Sequence, residues 1–260
     1  MIITLTTDFG YKDPFVGIMK GVIASIAPDT HIIDLCHGIE PQNVMGAALV
    51  LRHAVNYFPP DTIHVAVVDP GVGGARRPIL LQIAGYYLIG PDNGVLSLAL
   101  DKEEPERIIH LSNPDFYRHP VSRTFHGRDI FAPVAAHLSR LKSASRFGEA
   151  LSRFEKLRWP PLVESPRELA GEIVYIDGFG NLCSNVDAHR LTALGATQRA
   201  KIALGSIRID GVAPNYAAAK EGEWVAVINS WGLLEIAVNK GSAARGSRAR
   251  IGDKIQVRAG

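Results

Sequence analysis

Three short apolar runs, at residues 2–6, 31–36 and 62–68, alternate with two helix-length amphipathic stretches, and this alternation constrains the fold more than any other feature. The first and third runs are rich in Ile, Val and Thr, the composition of buried strands. Between the runs, Val16, Met19, Ile23 and Ile26 recur at helical spacing, as do Val44, Ala48, Leu51 and Val55. Asp13 is expected to cap the first helix, with Pro14 as its first residue and Pro28 ending it. Pro41 is expected to open the second, which Pro59 and Pro60 close. Strands joined through helices require right-handed crossovers, so the first part of the chain reads as an α/β domain with a mostly parallel sheet between helices.

The pattern changes after Trp159-Pro160-Pro161. Short strands punctuated by glycine are expected at 172–176, 201–204, 207–210, 224–229, 233–238 and 255–258, with one helix at 187–194. This spacing fits a small antiparallel barrel or sandwich. The expected organisation is an α/β domain at 1–160, a linker at 161–168 and a β domain at 169–260. A chain of 260 residues, 47% of them hydrophobic, buries roughly 70–75% of its unfolded surface and needs no staples.

The charge balance of +2 gives no global attraction to nucleic acid. Residues 239–258 hold six bases against Asp253, without interleaved aromatics, and read as a solvated basic face. Cys36 and Cys183 form no C-x-x-C, which excludes a cysteine-built zinc ribbon and fits two reduced thiols in the cytoplasm. The start of the chain lacks the basic region of a signal peptide, and no apolar run approaches the ~20 residues of a membrane helix.

Five loops concentrate Gly, Asp, Asn and His. Thr7-Asp8-Phe9-Gly10 follows the first strand, where ligands of open α/β sheets collect; a local turn held by Asp8 is the alternative. Val68-Asp69-Pro70-Gly71-Val72-Gly73-Gly74-Ala75-Arg76-Arg77 follows the third strand, and Asp69 and Arg76 are spaced to pair in a glycine-walled cleft. It is neither a Walker loop nor a dinucleotide fingerprint. Gly90-Pro91-Asp92-Asn93-Gly94 reads as a turn in which Asp92 or Asn93 caps a helix from Val95. Thr124-Phe125-His126-Gly127-Arg128-Asp129 places an imidazole at a helix entrance, where it suits proton transfer near neutrality. Asp177-Gly178-Phe179-Gly180-Asn181 and Asn229-Ser230-Trp231-Gly232 read as hairpin turns. No histidine pair has H-E-x-x-H spacing and no G-x-S-x-G elbow occurs. A cleft lined by carboxylates, one Arg and one His suits a polar, partly cationic small molecule.

Taken in order, these motifs make the chain similar to the S-adenosylmethionine (SAM) hydrolase family, the SAM hydroxide adenosyltransferases related to the fluorinating and chlorinating SAM enzymes. The resemblance spans nearly the whole chain. It implies a β-barrel-like C-terminal domain, a homotrimer with the site between subunits, and hydrolysis of SAM to adenosine and L-methionine with no cofactor and no metal. The family's catalytic Asp–Arg–His set falls on Asp69, Arg76 and His126, with Arg77 the rival of Arg76. By the same carry-over Asp8 takes the ribose hydroxyls, Asp13 and Asp177 face the methionine ammonium, and Ser230 faces its carboxylate. Asn181 and the backbone near Val238 hold adenine, Tyr216 stacks on it, and Glu235 is a further substrate-binding position. Where halide-using relatives carry a halide-contacting Ser after an aromatic residue, this chain has His126-Gly127. Asp69 replaces a residue that is aromatic in the fluorinating enzyme, and both departures imply water as the nucleophile. Two other readings remain open: a metal-dependent nucleoside or phosphoester hydrolase using Asp8, Asp69 and His126, and a non-catalytic adenosine- or SAM-binding module.

Overall fold

The computed structural model describes residues 1–101, 103–195 and 199–260. Two compact units divide the chain, Met1–Leu157 and Arg158–Gly260. In the first unit, β1 (Ile2–Thr7), α1 (Phe15–Ile26), β2 (His31–Cys36), α2 (Val44–Ala54) and β3 (Thr62–Val67) follow the expected alternation. Then come β4 (Pro78–Ile83), β5 (Tyr86–Pro91), β6 (Arg107–His110) and α3 (Ala132–Leu141). The six-stranded sheet has the order β2-β1-β3-β5-β4-β6. The pairs of β1 with β2, β1 with β3 and β3 with β5 are parallel, and β4 is antiparallel to both β5 and β6. The β4–β5 hairpin and β6 are additions to the three strands expected from the sequence.

Residue parity sorts the two faces of this sheet. Ile3, Leu5, Ile63 and Val65 point to one side, where Met19 and Ile23 of α1 and Val134 and Leu138 of α3 bury them. Ala66, Ile79, Leu81 and Leu88 point to the other, under Ala47 and Leu51 of α2. Every residue of β3 is buried, as a central parallel strand covered on both faces requires. Each fully buried side chain of this size contributes about 1.5–3 kcal/mol.

Two helix starts differ from expectation. Pro14, not Asp13, holds the N-cap position of α1, and its carbonyl accepts the Ile18 amide at 2.9 Å. Helix α2 begins at Val44 because Gln42 has a φ of 67°, which a right-handed helix excludes, and Asn43 caps it by accepting from the Gly46 amide at 2.8 Å.

The second unit contains β7 (Val163–Ser165), β8 (Glu168–Ile176), β9 (Leu182–Asp187), α4 (Ala188–Ala193), β10 (Lys201–Leu204), β11 (Ile207–Asp210), β12 (Trp224–Ile228), β13 (Leu233–Val238), α5 (Ala243–Ser247) and β14 (Lys254–Arg258). The stretch read as a linker thus includes β7, which pairs with β8. The strand order is β11-β10-β14-β8-β9-β13-β12, every named pair is antiparallel, and the edge strands β11 and β12 approach each other in a nearly closed barrel. Ile173, Leu182, Ile202, Leu234, Ile255 and Val257 fill its core. Among the described residues, no helix is long and apolar enough to cross a membrane.

Candidate active site

Because β1, β3 and β5 run parallel as neighbours, their carboxyl ends share one edge of the sheet. Three of the polar loops leave from that edge, which is where open α/β sheets bind ligands. The fourth, 124–127, enters the π-helical turn Gly127–Phe131 ahead of α3 and brings His126 to the same place. A hollow of about 420 Å³ is lined there by Asp8, Phe9, Phe15, Asp69, Phe125 and His126.

Arg76 joins the other two polar groups. Its Nε donates to Asp69 Oδ1 at 3.0 Å and its Nη2 to Asp69 Oδ2 at 2.5 Å. The same Nη2 lies 2.6 Å from His126 Nδ1. The side chains of Arg76 and Asp69 are only 9% and 5% exposed, so water screens this pair little. The Phe131 ring lies under the guanidinium, 5.6 Å from its centre. The loop's composition follows from close approach. Gly73 has a φ of +74°, and a Cβ there would lie 2.1 Å from the Arg123 carbonyl oxygen.

The guanidinium offers only donors, so Nδ1 of His126 must be the acceptor and the ring proton sits on Nε2. Burial pushes the His126 pKa below the ordinary imidazole value, and the adjacent Arg76 lowers it further against the opposing pull of Asp69 and Asp129. Asp129 is wholly buried and accepts from Arg128 Nε at 2.7 Å and from the Ser122 amide at 2.9 Å, which fixes the loop carrying His126.

Arg77 is committed elsewhere. Its Nε donates to Asp92 Oδ2 at 2.9 Å, and Asp92 Oδ1 accepts the Glu155 amide at 2.7 Å. The helix expected from Val95 is a short 3₁₀ turn at Ser97–Leu100 without a side-chain cap; Asn93 accepts from the Val95 amide at 3.1 Å in a local turn, while Asp92 forms the ion pair. Asp8 accepts from the Gln42 amide at 2.8 Å. Asp13 is exposed and does not line the hollow.

The second unit carries its own polar cluster. Asp177 shapes the β8–β9 turn by accepting from the amides of Phe179 (2.9 Å) and Asn181 (2.8 Å) and from Asn181 Nδ2 (2.9 Å). Tyr216 donates to Glu235 Oε1 at 2.7 Å, and Asn229 Nδ2 donates to Oε2 at 3.0 Å. Burial raises the Tyr216 pKa, and the Glu235 carboxylate raises it further. Cys183 lies beside them with its thiol pushed up to about 12 by burial. Asp177 and Tyr216 border two hollows. One, of about 380 Å³, also meets Ser230, Trp231 and Glu235; the other, of about 720 Å³, meets Phe179, Asn181, Val238 and Arg245.

Each unit thus gathers its own set. Asp8, Asp69, Arg76 and His126 meet in the first; Asp177, Asn181, Tyr216, Ser230, Glu235 and Val238 meet in the second. Glu235 is buried, with both carboxylate oxygens occupied by protein donors. Sequence reasoning did not single out Phe15, Arg245 or His37. Arg245 belongs to the basic stretch 239–258, and nothing in its local sequence marks it as lining a hollow. Among the described residues, no group of three or more His, Cys, Asp and Glu is arranged to hold a metal ion. Asp69 and His126 converge instead on a guanidinium.

Residues 3–148 match the model of the SAM hydroxide adenosyltransferase N-terminal domain, and residues 171–256 that of the C-terminal domain. An (R)-S-adenosyl-L-methionine hydrolase of Salinispora arenicola is 38% identical over 261 residues, covering 99% of this chain and 98% of that protein. A fluorinase of Nocardia brasiliensis is 28% identical, covering 100% and 97%. The crystal structure of an uncharacterized conserved protein from Thermotoga maritima matches with a TM-score of 0.91 at 37% identity, over 99% of this chain and all of that one.

Proposed function

Because the chain belongs to the SAM hydroxide adenosyltransferase family, we propose that it hydrolyses S-adenosyl-L-methionine to adenosine and L-methionine. The name of the 38% identical relative directs this reading to the (R) sulfonium epimer. The observation that carries it is the contact of Arg76 with both Asp69 and His126 beside the hollow of the first unit.

Water attacks C5′ of the ribose in line with the departing sulfur. A C–O bond forms, the C5′–S bond breaks, and its electron pair stays on sulfur as the neutral thioether of methionine. The leaving group needs no proton, so the chemistry that the protein must supply lies at the nucleophile. Each Asp69 oxygen accepts one Arg76 bond and keeps a lone pair for the water proton. His126, with Nδ1 occupied, offers Nε2–H to the water oxygen, and the Arg76 charge stabilises hydroxide character as it develops. A positioned base contributes ~10²–10⁴-fold. Hydroxide meeting a sulfonium cancels charge, so a dry site favours the step.

The remaining residues bind. Asp8 takes the ribose hydroxyls, Asp13 and Asp177 the ammonium, and Ser230 the carboxylate. Asn181 and the Val238 backbone hold adenine against the Tyr216 ring, which Glu235 anchors from behind. The active form in this reading is a cytoplasmic homotrimer with each site shared between subunits. The large exposure of Phe179 beside the adenine hollow supports a covering partner surface.

Incubation with each SAM epimer, followed by chromatography, tests the proposal. Adenosine and methionine in equal amounts are expected, with no halogenated adenosine in high chloride and no loss of turnover on chelation. Failure to release adenosine from either epimer overturns it.

A further inference from the structure

His37 lies outside the reacting groups, yet its side chain is wholly buried and both ring nitrogens and the carbonyl oxygen are engaged. Lys20 Nζ donates to Asp34 Oδ2 at 2.6 Å. Asp34 Oδ1 is 3.1 Å from His37 Nε2, and a carboxylate only accepts, so Nε2 carries the hydrogen. Nδ1 is then the acceptor, and the Thr7 hydroxyl, 2.8 Å away, donates to it. Thr7 Oγ1 in turn accepts the Phe9 amide at 3.2 Å. From the other side, the His37 carbonyl accepts the Gly10 amide at 2.8 Å. The Tyr11 ring closes over the imidazole edge-on at 5.2 Å.

This directional chain holds residues 7, 9 and 10, and the residue it brackets is Asp8. Polar groups are costly to bury unless each bond is made, so such a chain is satisfied in one arrangement and not in its neighbours. We propose that His37 is a positioning residue for Asp8, acting through the Thr7 hydroxyl to hold the carboxylate at the geometry that receives the ribose hydroxyls. The proposal rests on the reading that Asp8 binds those hydroxyls.

The test compares Thr7→Val, His37→Gln, His37→Asn and Asp8→Asn on SAM and on its 2′,3′-dideoxyribose analogue. Valine keeps the shape of Thr7 without the donor. Glutamine reaches Asp34 but offers nothing to Thr7, whereas asparagine places an acceptor where Nδ1 was. Losing one hydrogen bond that acts on binding alone raises KM for SAM about tenfold in Thr7→Val and His37→Gln, with kcat little changed. His37→Asn restores the wild-type KM, and on the dideoxy analogue Thr7→Val and His37→Gln match the parent. Equal losses on both substrates, or unchanged KM in Thr7→Val and His37→Gln, overturn the proposal. Should His37→Gln misfold by circular dichroism, Thr7→Val decides alone. An unchanged KM in Asp8→Asn overturns the ribose reading itself, an outcome separate from any result at His37.

Discussion

Arg76 Nη2 donates to His126 Nδ1 across 2.6 Å while the same guanidinium grips both oxygens of Asp69. The imidazole cannot use Nδ1 as a base while that bond stands. Protonating Nδ1 would set two cations against each other, a repulsion of about 4 kcal/mol at 4 Å near a protein surface. In the proposed reaction this one contact divides the work of the site, leaving Asp69 as the proton acceptor and His126 as a donor.

Removing either partner is therefore expected to slow the reaction without abolishing binding. Asp69→Ala and His126→Ala are each expected to lower adenosine release by about 10²–10⁴-fold, while calorimetry still detects SAM binding. Full turnover retained by both variants would remove them from the reaction.

The two adjacent arginines separate in the same assay. Arg76→Lys replaces a planar fork by a point charge and loses the simultaneous contact with Asp69 and His126, so kcat falls at least tenfold. Arg77→Ala strands the buried Asp92 carboxylate and lowers the midpoint of thermal unfolding, with turnover preserved at a temperature where the variant is folded. Comparable kcat losses in both variants would contradict the assignment of Arg76.

Gly73→Ala probes the loop from its backbone. The added Cβ meets the Arg123 carbonyl at 2.1 Å and the φ of +74° disfavours alanine, so the loop must shift and the Asp69–Arg76 pair with it. Activity is expected to fall far more than at Gly10, where a Cβ meets nothing within 4 Å and only the positive φ opposes it. Equal activity in the two alanine variants would show the close approach to be immaterial.

Acid dependence follows from histidines held neutral. His64 is fully buried with its pKa lowered to about 4 by desolvation. Its folded pKa lies below the unfolded value of 6.5, so its contribution is fully present above pH 6.5 and is lost as pH falls toward 4. The loss amounts to about 3 kcal/mol, measurable as a pH slope in urea unfolding that His64→Gln reduces. For turnover, the depressed His126 pKa predicts an acid limb whose midpoint lies below that of a free imidazole. A midpoint above 6.5 would place another group in control.

Strands β1, β2 and β3 were legible because a short, mostly apolar run rich in branched residues between helical repeats admits few alternatives. The β4–β5 hairpin was not, since its apolar residues carry neither an alternating pattern nor a strong turn pair to separate them from a loop–helix segment. Pro41 promised a helix start that the left-handed backbone at Gln42 moved to Val44. Asp92 had the local chemistry of a cap, but an arginine fifteen residues away claimed it.

Local order, then, was written along the chain: apolar periodicity, glycine at tight approaches, and acidic or imidazole side chains where strands end. These are properties of neighbouring residues, and they suffice to mark Asp8, Asp69 and His126, whose loops meet at one hollow. That Arg77 turns away to Asp92, which imidazole nitrogen keeps its hydrogen, and that His37 meets the Thr7 hydroxyl were settled by packing alone. Each depends on tenths of an ångström between segments up to fifty residues apart, and only the sum of contacts across the folded core sets distances that fine.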